Sequence, residues 1–267
     1  DAADLSVHLQ LLFDVHRLHL CPPIFILMHD QRWIDREIVF FSCFIQNKIW
    51  YDNTCERKGY LMIKLTHTSV MNMENAMRGA RNPLNSWARM DSGYDEQGNF
   101  VLGENDLSLA KRLARAGSDH RKFIRQIFVS VDIEAPIYWW KEYDTYKIAT
   151  VANSTSTMHK IASKPFSLDD FSHEEMNETA LSCLKQTIQT LETLRLDYLQ
   201  TKDKQTWYSM IQLLPSSYHQ LRTCSFNYET LVNIYHARHA HKLTEWHVFC
   251  DWIRTLPYAR EIIIMED

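Results

Sequence analysis

The chain of 267 residues contains only 6 glycines and 7 prolines. Turn-rich β architectures use many of both residues, so their scarcity favours long helices. Long apolar runs are missing as well, because the longest, 24–28 and 38–45, are far shorter than the ~20 residues that cross a bilayer. The start of the chain shows no basic, apolar and small-residue pattern of a signal peptide. We therefore predict a cytoplasmic protein with no membrane partner.

The sequence also lacks an excess of either charge, with a formal net charge of −4 and a pI of about 6.4. This balance excludes a global basic field that attracts nucleic acid, so bound phosphate needs a local pocket. Six cysteines occur without Cys-x-x-Cys spacing, which is typical of free thiols rather than a disulfide framework or a zinc site. The chain has no Gly-rich phosphate loop. We predict no nucleic-acid partner and no metal.

The first 61 residues show no sustained helical or strand periodicity and hold three of the six cysteines. Residues 56–62 read Glu-Arg-Lys-Gly-Tyr-Leu-Met, and purine-rich codons for such a run are typical of a ribosome-binding site before a start codon. We predict that Met62 is the natural start and that 1–61 is a non-native or disordered upstream extension. A genuine N-terminal extension is the alternative. The functional domain is then 62–267.

Within 62–267, hydrophobic periodicity and capping residues predict an α+β fold: a helix-dominated single domain with a small antiparallel sheet. The predicted strands are Ile63–Val70 and Phe123–Ile133. The predicted loops are Asp91–Gly98, Thr150–Thr157 and the polar segment Ser216–Thr223. A first helix is predicted to start at Asn105 or Asp106 and to end at Gly117. The further predicted helices are Ile137–Tyr146, Leu168–Gln200 (with a Ser167/Asp170 capping box), Asp203–Leu213, Asn227–Ala240 and Leu243–Leu256.

The most informative stretch runs from Leu214 to Arg238. On a helix from Asn227, Arg238 lies eleven residues on, close to three turns, so both side chains project in similar directions. Asn233 is displaced sideways. Amides that donate and accept, with a planar cation, suit a heterocycle that carries a phosphate. The alternative is a solvated helix face with one asparagine cap.

The spacing of six residues in this stretch resembles the C-terminal half of flavin-dependent thymidylate synthases: Leu214, Pro215, Asn227, Leu231, Asn233 and Arg238. The segment 240–246, Ala-His-Lys-Leu-Thr-Glu-Trp, is a looser match to that family's Ala-Gln-x-Glu. Upstream, Gly117-Ser118-Asp119-His120 followed by Phe123 resembles the family's approach to a flavin-lining strand. Residues 145–156 stand in place of its Arg-His-Arg-x-x-Ser loop.

The chain departs from the family pattern at several cations. Thr145-Tyr146-Lys147 replaces Arg-His-Arg, Glu229 stands two residues after Asn227 where an arginine is expected, and Ile211 stands four before Pro215 where another is expected. Fewer cations weaken a pocket for a dianionic phosphate, since each charge-assisted hydrogen bond contributes roughly 1.5–3 kcal/mol. Family membership is therefore better supported than full family activity.

The resemblance implies an FAD-dependent thymidylate synthase of bacterial or phage type, a homotetramer with sites at subunit junctions. It would methylate dUMP to dTMP with a methylene folate as carbon donor and NADPH as reductant. The resemblance assigns Asn227, Asn233 and His120 to the flavin. It assigns to the nucleotide Arg238, Lys147, Ser154, Thr155 and Ser156. The alternatives are a non-catalytic nucleotide- or flavin-binding interaction protein of the same fold, and a helical oligomer without a ligand.

Three other features receive plainer interpretations. The histidines at 236, 239, 241 and 247 are not predicted to bind zinc, because 239 and 241 point about 200° apart on one helix. Trp139 and Trp140 are predicted to pack at a subunit interface. Glu142 and Asp144 are predicted to be solvated carboxylates.

Overall fold

The computed structural model describes residues 62–266, so the predictions made for 1–61 lie outside the described residues. The centre of the fold is a four-stranded antiparallel sheet with strand order β1-β4-β6-β5. These strands are β1 (Lys64–Met71), β4 (Phe128–Pro136), β5 (Val151–Ser154) and β6 (His219–Asn227), and a small hairpin is formed by β2 (Gly93–Tyr94) and β3 (Phe100–Val101).

Some helices pack with the sheet in the main hydrophobic core, and two others form a hairpin with a core of their own. In chain order they are α1 (Met73–Ala80), α2 (Glu104–Arg115), α3 (Ile137–Tyr143), α4 (Thr157–Lys160), α5 (Glu178–Thr201), α6 (Lys204–Leu213), α7 (Tyr228–Arg238) and α8 (Thr244–Arg254). The predicted α+β, helix-dominated fold class with a small antiparallel sheet is confirmed. Among residues 62–266, no helix combines the length and apolarity needed to span a bilayer.

Three strands lie where the sequence predicted loops, and the short β2 falls inside the predicted loop Asp91–Gly98. β6 overlaps the predicted polar segment 216–223 and is a central strand between β4 and β5. Only its Cys224 and Phe226 supply a buried apolar face, and the intervening Thr223 and Ser225 are exposed, so its apolar alternation is too short to detect. β5 lies in the predicted loop 150–157 and is exposed along its whole length, so it carries no apolar pattern.

Several predicted boundaries were wrong for local reasons. α2 begins after Gly103, so Asn105 and Asp106 lie inside its first turn rather than at its cap. Buried Asp106 instead pairs with Arg81, with 2.5 Å between Oδ1 and Nη2. β4 begins at Phe128 because a 3₁₀ segment occupies Arg121–Gln126.

The long helix α5 starts ten residues later than predicted, at Glu178, with Asn177 as its cap. The predicted Ser167/Asp170 capping box is present, but it caps a single 3₁₀ turn, Leu168–Asp170.

The main hydrophobic core joins the sheet to α3, α7 and α8, and a smaller cluster lies within the α5–α6 hairpin. Trp139 and Trp140 are at most 1% exposed within the single chain. Trp139 packs 4.7 Å from the Trp246 ring and stacks on Tyr143 at 5.3 Å between ring centroids. The prediction that the two tryptophans face a partner subunit was therefore wrong, because they anchor α3 in the core.

Candidate functional site

The loop between α3 and β5, residues 144–150, lies along α7 and is held to it at two points. The Nε of Arg238 donates a hydrogen bond of 2.8 Å to the hydroxyl of Tyr146. Two turns earlier on α7, the Oγ1 of Thr230 donates to the carbonyl of Ile148 at 3.1 Å. The two sequence segments that carry the family resemblance therefore meet in space, although Tyr146 and Arg238 are 92 residues apart. We call residues 144–150 the α3–β5 loop.

The guanidinium of Arg238 is enclosed on three sides. Besides Tyr146, its Nη1 lies 3.0 Å from an oxygen of Glu142. Its central carbon lies 4.9 Å from the centre of the Trp246 ring, a cation–π contact. The side chain keeps 19% of its surface exposed. Arg238 is thus a fixed, oriented cation that solvent can still reach.

Two carboxylates at the C-terminal end of α3, Glu142 in its last turn and Asp144 directly after it, are each paired with an arginine. Glu142 also accepts a 2.9 Å hydrogen bond from the indole of Trp246. Asp144 lies 2.8 Å from Arg222 on β6, whose guanidinium stacks over the Trp140 ring at 4.2 Å. Asp144, with 52% of its side chain exposed, is solvated as predicted but also ion-paired, whereas Glu142 is partly buried and fixed by its partners.

Arg222 is a cation of this region that the sequence reasoning missed. It pairs in register with Ser154 across the β5–β6 ladder, so it lies beside one of the predicted hydroxyl donors. A sequence prediction that paired β6 with β5 would have placed Arg222 at this site. Its side chain remains 17% exposed.

The predicted flavin ligand Asn227 sits at the other end of α7, and its amide is fully used inside the chain. Its Oδ1 accepts hydrogen bonds from the backbone N–H of Thr230 at 3.0 Å and from the Thr230 hydroxyl at 3.1 Å. Its Nδ2 donates to the carbonyl of Arg125 at 3.2 Å. Asn227 is 7% exposed. It therefore caps α7, and direct contact with flavin stays a prediction.

The remaining predicted flavin residues lie on the surface. Asn233 is exposed on α7, and His120 is exposed before the 3₁₀ segment that contacts Asn227. That segment also explains the replacement of an arginine by Glu229. Arg121 lies 3.0 Å from one Glu229 oxygen and Arg125 lies 3.8 Å from the other, so the new negative charge is balanced locally.

The predicted nucleotide residues Lys147, Ser154, Thr155 and Ser156 are all exposed. Lys147 has no ionic partner within residues 62–266. The Thr155 hydroxyl donates to the Leu221 carbonyl at 3.3 Å, and the Ser156 hydroxyl caps α4 by accepting from the His159 N–H at 3.2 Å. Lys147 therefore directly follows Tyr146, which contacts Arg238, and the three hydroxyls lie at the end of β5 and just after it.

The α3–β5 loop stores local backbone strain. Ala149 has a φ of 56°, a left-handed conformation that costs an alanine roughly 1 kcal/mol. Its neighbours fix it there, since the Thr150 hydroxyl donates to the Tyr146 carbonyl and Ile148 is held by Thr230. Strained residues that their surroundings hold in place cluster at binding and catalytic sites.

Thiol and metal chemistry receive little support from the described part of the chain. Burial raises the pKa of Cys224 to about 11 and that of Cys250 to about 12, so both stay protonated at neutral pH. Within residues 62–266, no three histidine, cysteine or acidic side chains converge as a metal site. His239 and His247 instead contact the backbone carbonyls of Tyr235 and His241.

Two solved structures of thymidylate synthases are similar to this arrangement of strands and helices. A structure of thymidylate synthase X (ThyX) from Helicobacter pylori with FAD and dUMP matches at 16% identity and a TM-score of 0.54, covering 75% of this chain and 95% of that one. A second, of the flavin-dependent thymidylate synthase ThyX from Helicobacter pylori complexed with FAD and dUMP, matches at 18% identity and a TM-score of 0.52. It covers 73% of this chain and 94% of that one.

No protein-family model matches the chain, and no curated protein does. At such low identity the structural likeness shows the fold alone. The described residues have the fold of the flavin-dependent thymidylate synthases, and the chain is distantly related to ThyX in structure.

Proposed function

We propose that this protein binds FAD and dUMP and is a homologue of the FAD-dependent thymidylate synthases. Its reaction is the reductive methylation of dUMP to dTMP, with a methylene folate as carbon donor and NADPH as reductant. The single observation that supports it most is the contact between the α3–β5 loop and Arg238 inside this fold. Both segments carry the sequence resemblance to that family.

The residues at the C-terminal end of α7 fit a nucleotide phosphate. Arg238 is oriented by Tyr146 and Trp246 and stays partly exposed, and exposed Lys147 follows Tyr146 directly. A guanidinium suits phosphate because its planar fork donates two parallel hydrogen bonds. Ser154, Thr155 and Ser156 would add hydroxyl donors once the loop and β5 enclose the ligand.

The flavin would be held by Asn233 and His120, with Asn227 fixing the start of α7. When bound, FAD supplies the hydride of the reaction. The chain's own residues bind and orient the two ligands. Asn233 has an exposed amide that can donate and accept. The assignment of Asn227 as a direct flavin ligand rests on the family resemblance.

We also propose a homotetramer with its sites at subunit junctions. Ile148 in the α3–β5 loop is 87% exposed and Val151 on β5 is 70% exposed, so two large apolar side chains beside the candidate site lack cover from residues 62–266. Size-exclusion chromatography with light scattering should give four chains per particle. A monomer at micromolar concentration would contradict the tetramer.

A non-catalytic nucleotide-binding protein is the second candidate. The observation that favours it is the pairing of Arg238 with Glu142 and of Arg222 with Asp144, which reduces the positive charge available to a phosphate. Yellow protein with flavin absorbance would favour the synthase. Thermal stabilisation by dUMP without any bound flavin would favour the second candidate.

Rescue of a thymidine-requiring bacterium tests the synthase directly. We expect the wild-type gene to restore growth without thymidine, and Arg238→Gln and Lys147→Gln to slow or abolish it. Lys185→Gln, at an exposed lysine on α5, is the matched control and should grow as wild type. Failure of the wild-type gene despite good expression would contradict the synthase reaction.

A flavin-binding comparison tests the cofactor assignment. Asn233→Ala should retain less FAD after gel filtration than wild type, because it loses an amide that faces the ligand. Gln200→Ala, an exposed amide at the end of α5, is the matched control. Equal FAD content in the two variants would remove Asn233 from the flavin site.

A further inference from the structure

Glu142 occupies the position next to Arg238 that an anionic ligand would otherwise take. One of its oxygens, Oε2, lies 3.0 Å from Arg238 Nη1 and 2.9 Å from Trp246 Nε1. The Nε2 of His241 lies 3.5 Å from the same oxygen. Several donors therefore converge on one carboxylate oxygen, which fixes Glu142 against the guanidinium although its side chain is about a third exposed.

The carboxylates change the charge of the whole region. Arg238, Arg222 and Lys147 are its cations, while Glu142 and Asp144 neutralise the two arginines. Only one net positive charge remains for a phosphate monoester, which carries nearly two negative charges at neutral pH. A carboxylate beside the binding guanidinium also repels the phosphate directly, and in partly buried surroundings this repulsion is weakly screened.

We propose that Glu142 is an internal counter-ion that sets the specificity of this site. It holds Arg238 in place, and it lowers the affinity for dianionic phosphate monoesters relative to the corresponding neutral nucleosides. The link to nucleotides rests on the function proposed above, whereas the charge effect holds for any phosphate. Glu142 acts through Arg238 and is therefore a positioning residue.

The charge and the positioning can be separated by substitution. In Glu142→Gln the amide oxygen can still accept from Arg238 and Trp246, while the negative charge is gone. Arg238 also keeps its hydrogen bond to Tyr146 and its contact with Trp246, so its orientation should survive. Glu142→Ala provides a second variant if the first does not fold, because alanine suits a partly exposed helix position.

Calorimetric titration with inorganic phosphate tests the counter-ion role without assuming a nucleotide. Glu142→Gln should bind phosphate about tenfold more tightly than wild type, because one repulsive charge is removed. The double variant Glu142→Gln with Arg238→Gln should lose that gain. Glu175→Gln, at an exposed loop carboxylate, should leave the affinity unchanged. No gain in Glu142→Gln, or a gain that persists without Arg238, would overturn the proposal.

Parallel titrations with dUMP and deoxyuridine separate this proposal from the proposed function. Glu142→Gln should raise the preference for dUMP over deoxyuridine about tenfold over wild type. A phosphate gain in a protein that binds neither uridine compound nor FAD would support the counter-ion role and contradict the synthase. Unchanged preference in a protein that does bind dUMP would contradict the counter-ion role and leave the synthase standing.

Discussion

The two ends of α7 carry residues of the same sequence motif, yet their surroundings differ. At the first end, Asn227 is buried and each polar atom of its amide has a partner in the chain. At the last end, Arg238 is partly exposed and contacts Tyr146 of the α3–β5 loop, which also holds exposed Lys147 and strained Ala149. Motif spacing alone therefore does not separate a residue that stabilises the fold from one that can contact a ligand. The burial of each side chain and its hydrogen-bond partners separate the two roles.

The largest expected effect is on stability at the buried end. Asn227→Ala removes a helix cap, which costs about 1–2 kcal/mol. It also takes away the hydrogen bond to the carbonyl of Arg125, whereas the Thr230 hydroxyl keeps the Ile148 carbonyl as its acceptor. We expect a total loss of about 2–3 kcal/mol in the free energy of unfolding, measured by urea titration. Asn227→Asp keeps the capping oxygen and should lose less. If Asn227→Ala lost flavin but kept its free energy of unfolding, Asn227 would be a flavin ligand rather than a residue that stabilises the fold.

The next effect is on ligand binding at the exposed end. Arg238→Gln should weaken dUMP binding about 10- to 100-fold, since a charge-assisted hydrogen bond contributes roughly 1.5–3 kcal/mol. Its free energy of unfolding should change by less than about 1 kcal/mol, as for a partly exposed ion pair. Calorimetry and urea titration on the same samples measure both. The control Arg112→Gln, at an exposed arginine on α2, should change neither. A large drop in the free energy of unfolding with unchanged dUMP affinity would show that Arg238 stabilises the fold and does not bind the nucleotide.

His219 lies outside the motif of α7, and a variant of it shows whether burial gives a polar residue a role in stability there as well. It begins β6, the strand that ends at Asn227, and its Nε2 lies 2.8 Å from the Ser172 hydroxyl. Burial lowers the pKa of His219 below its usual value, although Glu134 and Glu174 oppose the shift.

The unfolded chain therefore binds the proton more readily, and stability falls as pH drops below about 6.5. His219→Gln should flatten this acid loss in urea titrations between about pH 7 and pH 5. The stability that His219 contributes is present above its ordinary pKa and is lost toward acid. An unchanged acid slope in the variant would mean that His219 titrates as an exposed histidine does.

The smallest effect concerns the strained loop at the ligand end. Ala149→Gly should raise the free energy of unfolding by up to about 1 kcal/mol, because glycine adopts a positive φ without strain. Ala152→Gly, on β5 where φ is not positive, should instead lower it slightly. Thermal melts of the two variants provide the check. A destabilised Ala149→Gly would show that the loop conformation costs alanine nothing.

Much of the fold could be predicted from local sequence patterns. The alternation of Val129, Val131 and Ile133 predicted β4, and Asn227 as a capping residue predicted the start of α7. β6 could not be predicted, because its stability comes from two neighbouring strands rather than from its own apolar pattern. Long-range pairing of this kind leaves little trace in the strand itself.

The candidate site was predictable in part. The family resemblance chose Arg238 and the loop around Lys147, and the structure brings these segments together. The pairing of Arg238 with Glu142, and of Arg222 with Asp144, depends on how the last turn of α3 packs against α7 and β6. No spacing rule within one segment contains that information, so the charge balance of the site emerged only from the fold.

Flavin absorbance, recorded while dUMP is titrated into purified protein loaded with FAD, shows whether the protein binds both ligands at one site. We expect the protein to retain FAD and dUMP to perturb the flavin spectrum, with a much weaker response in Arg238→Gln. Protein that takes up no FAD and shows no response to dUMP would contradict the proposed function.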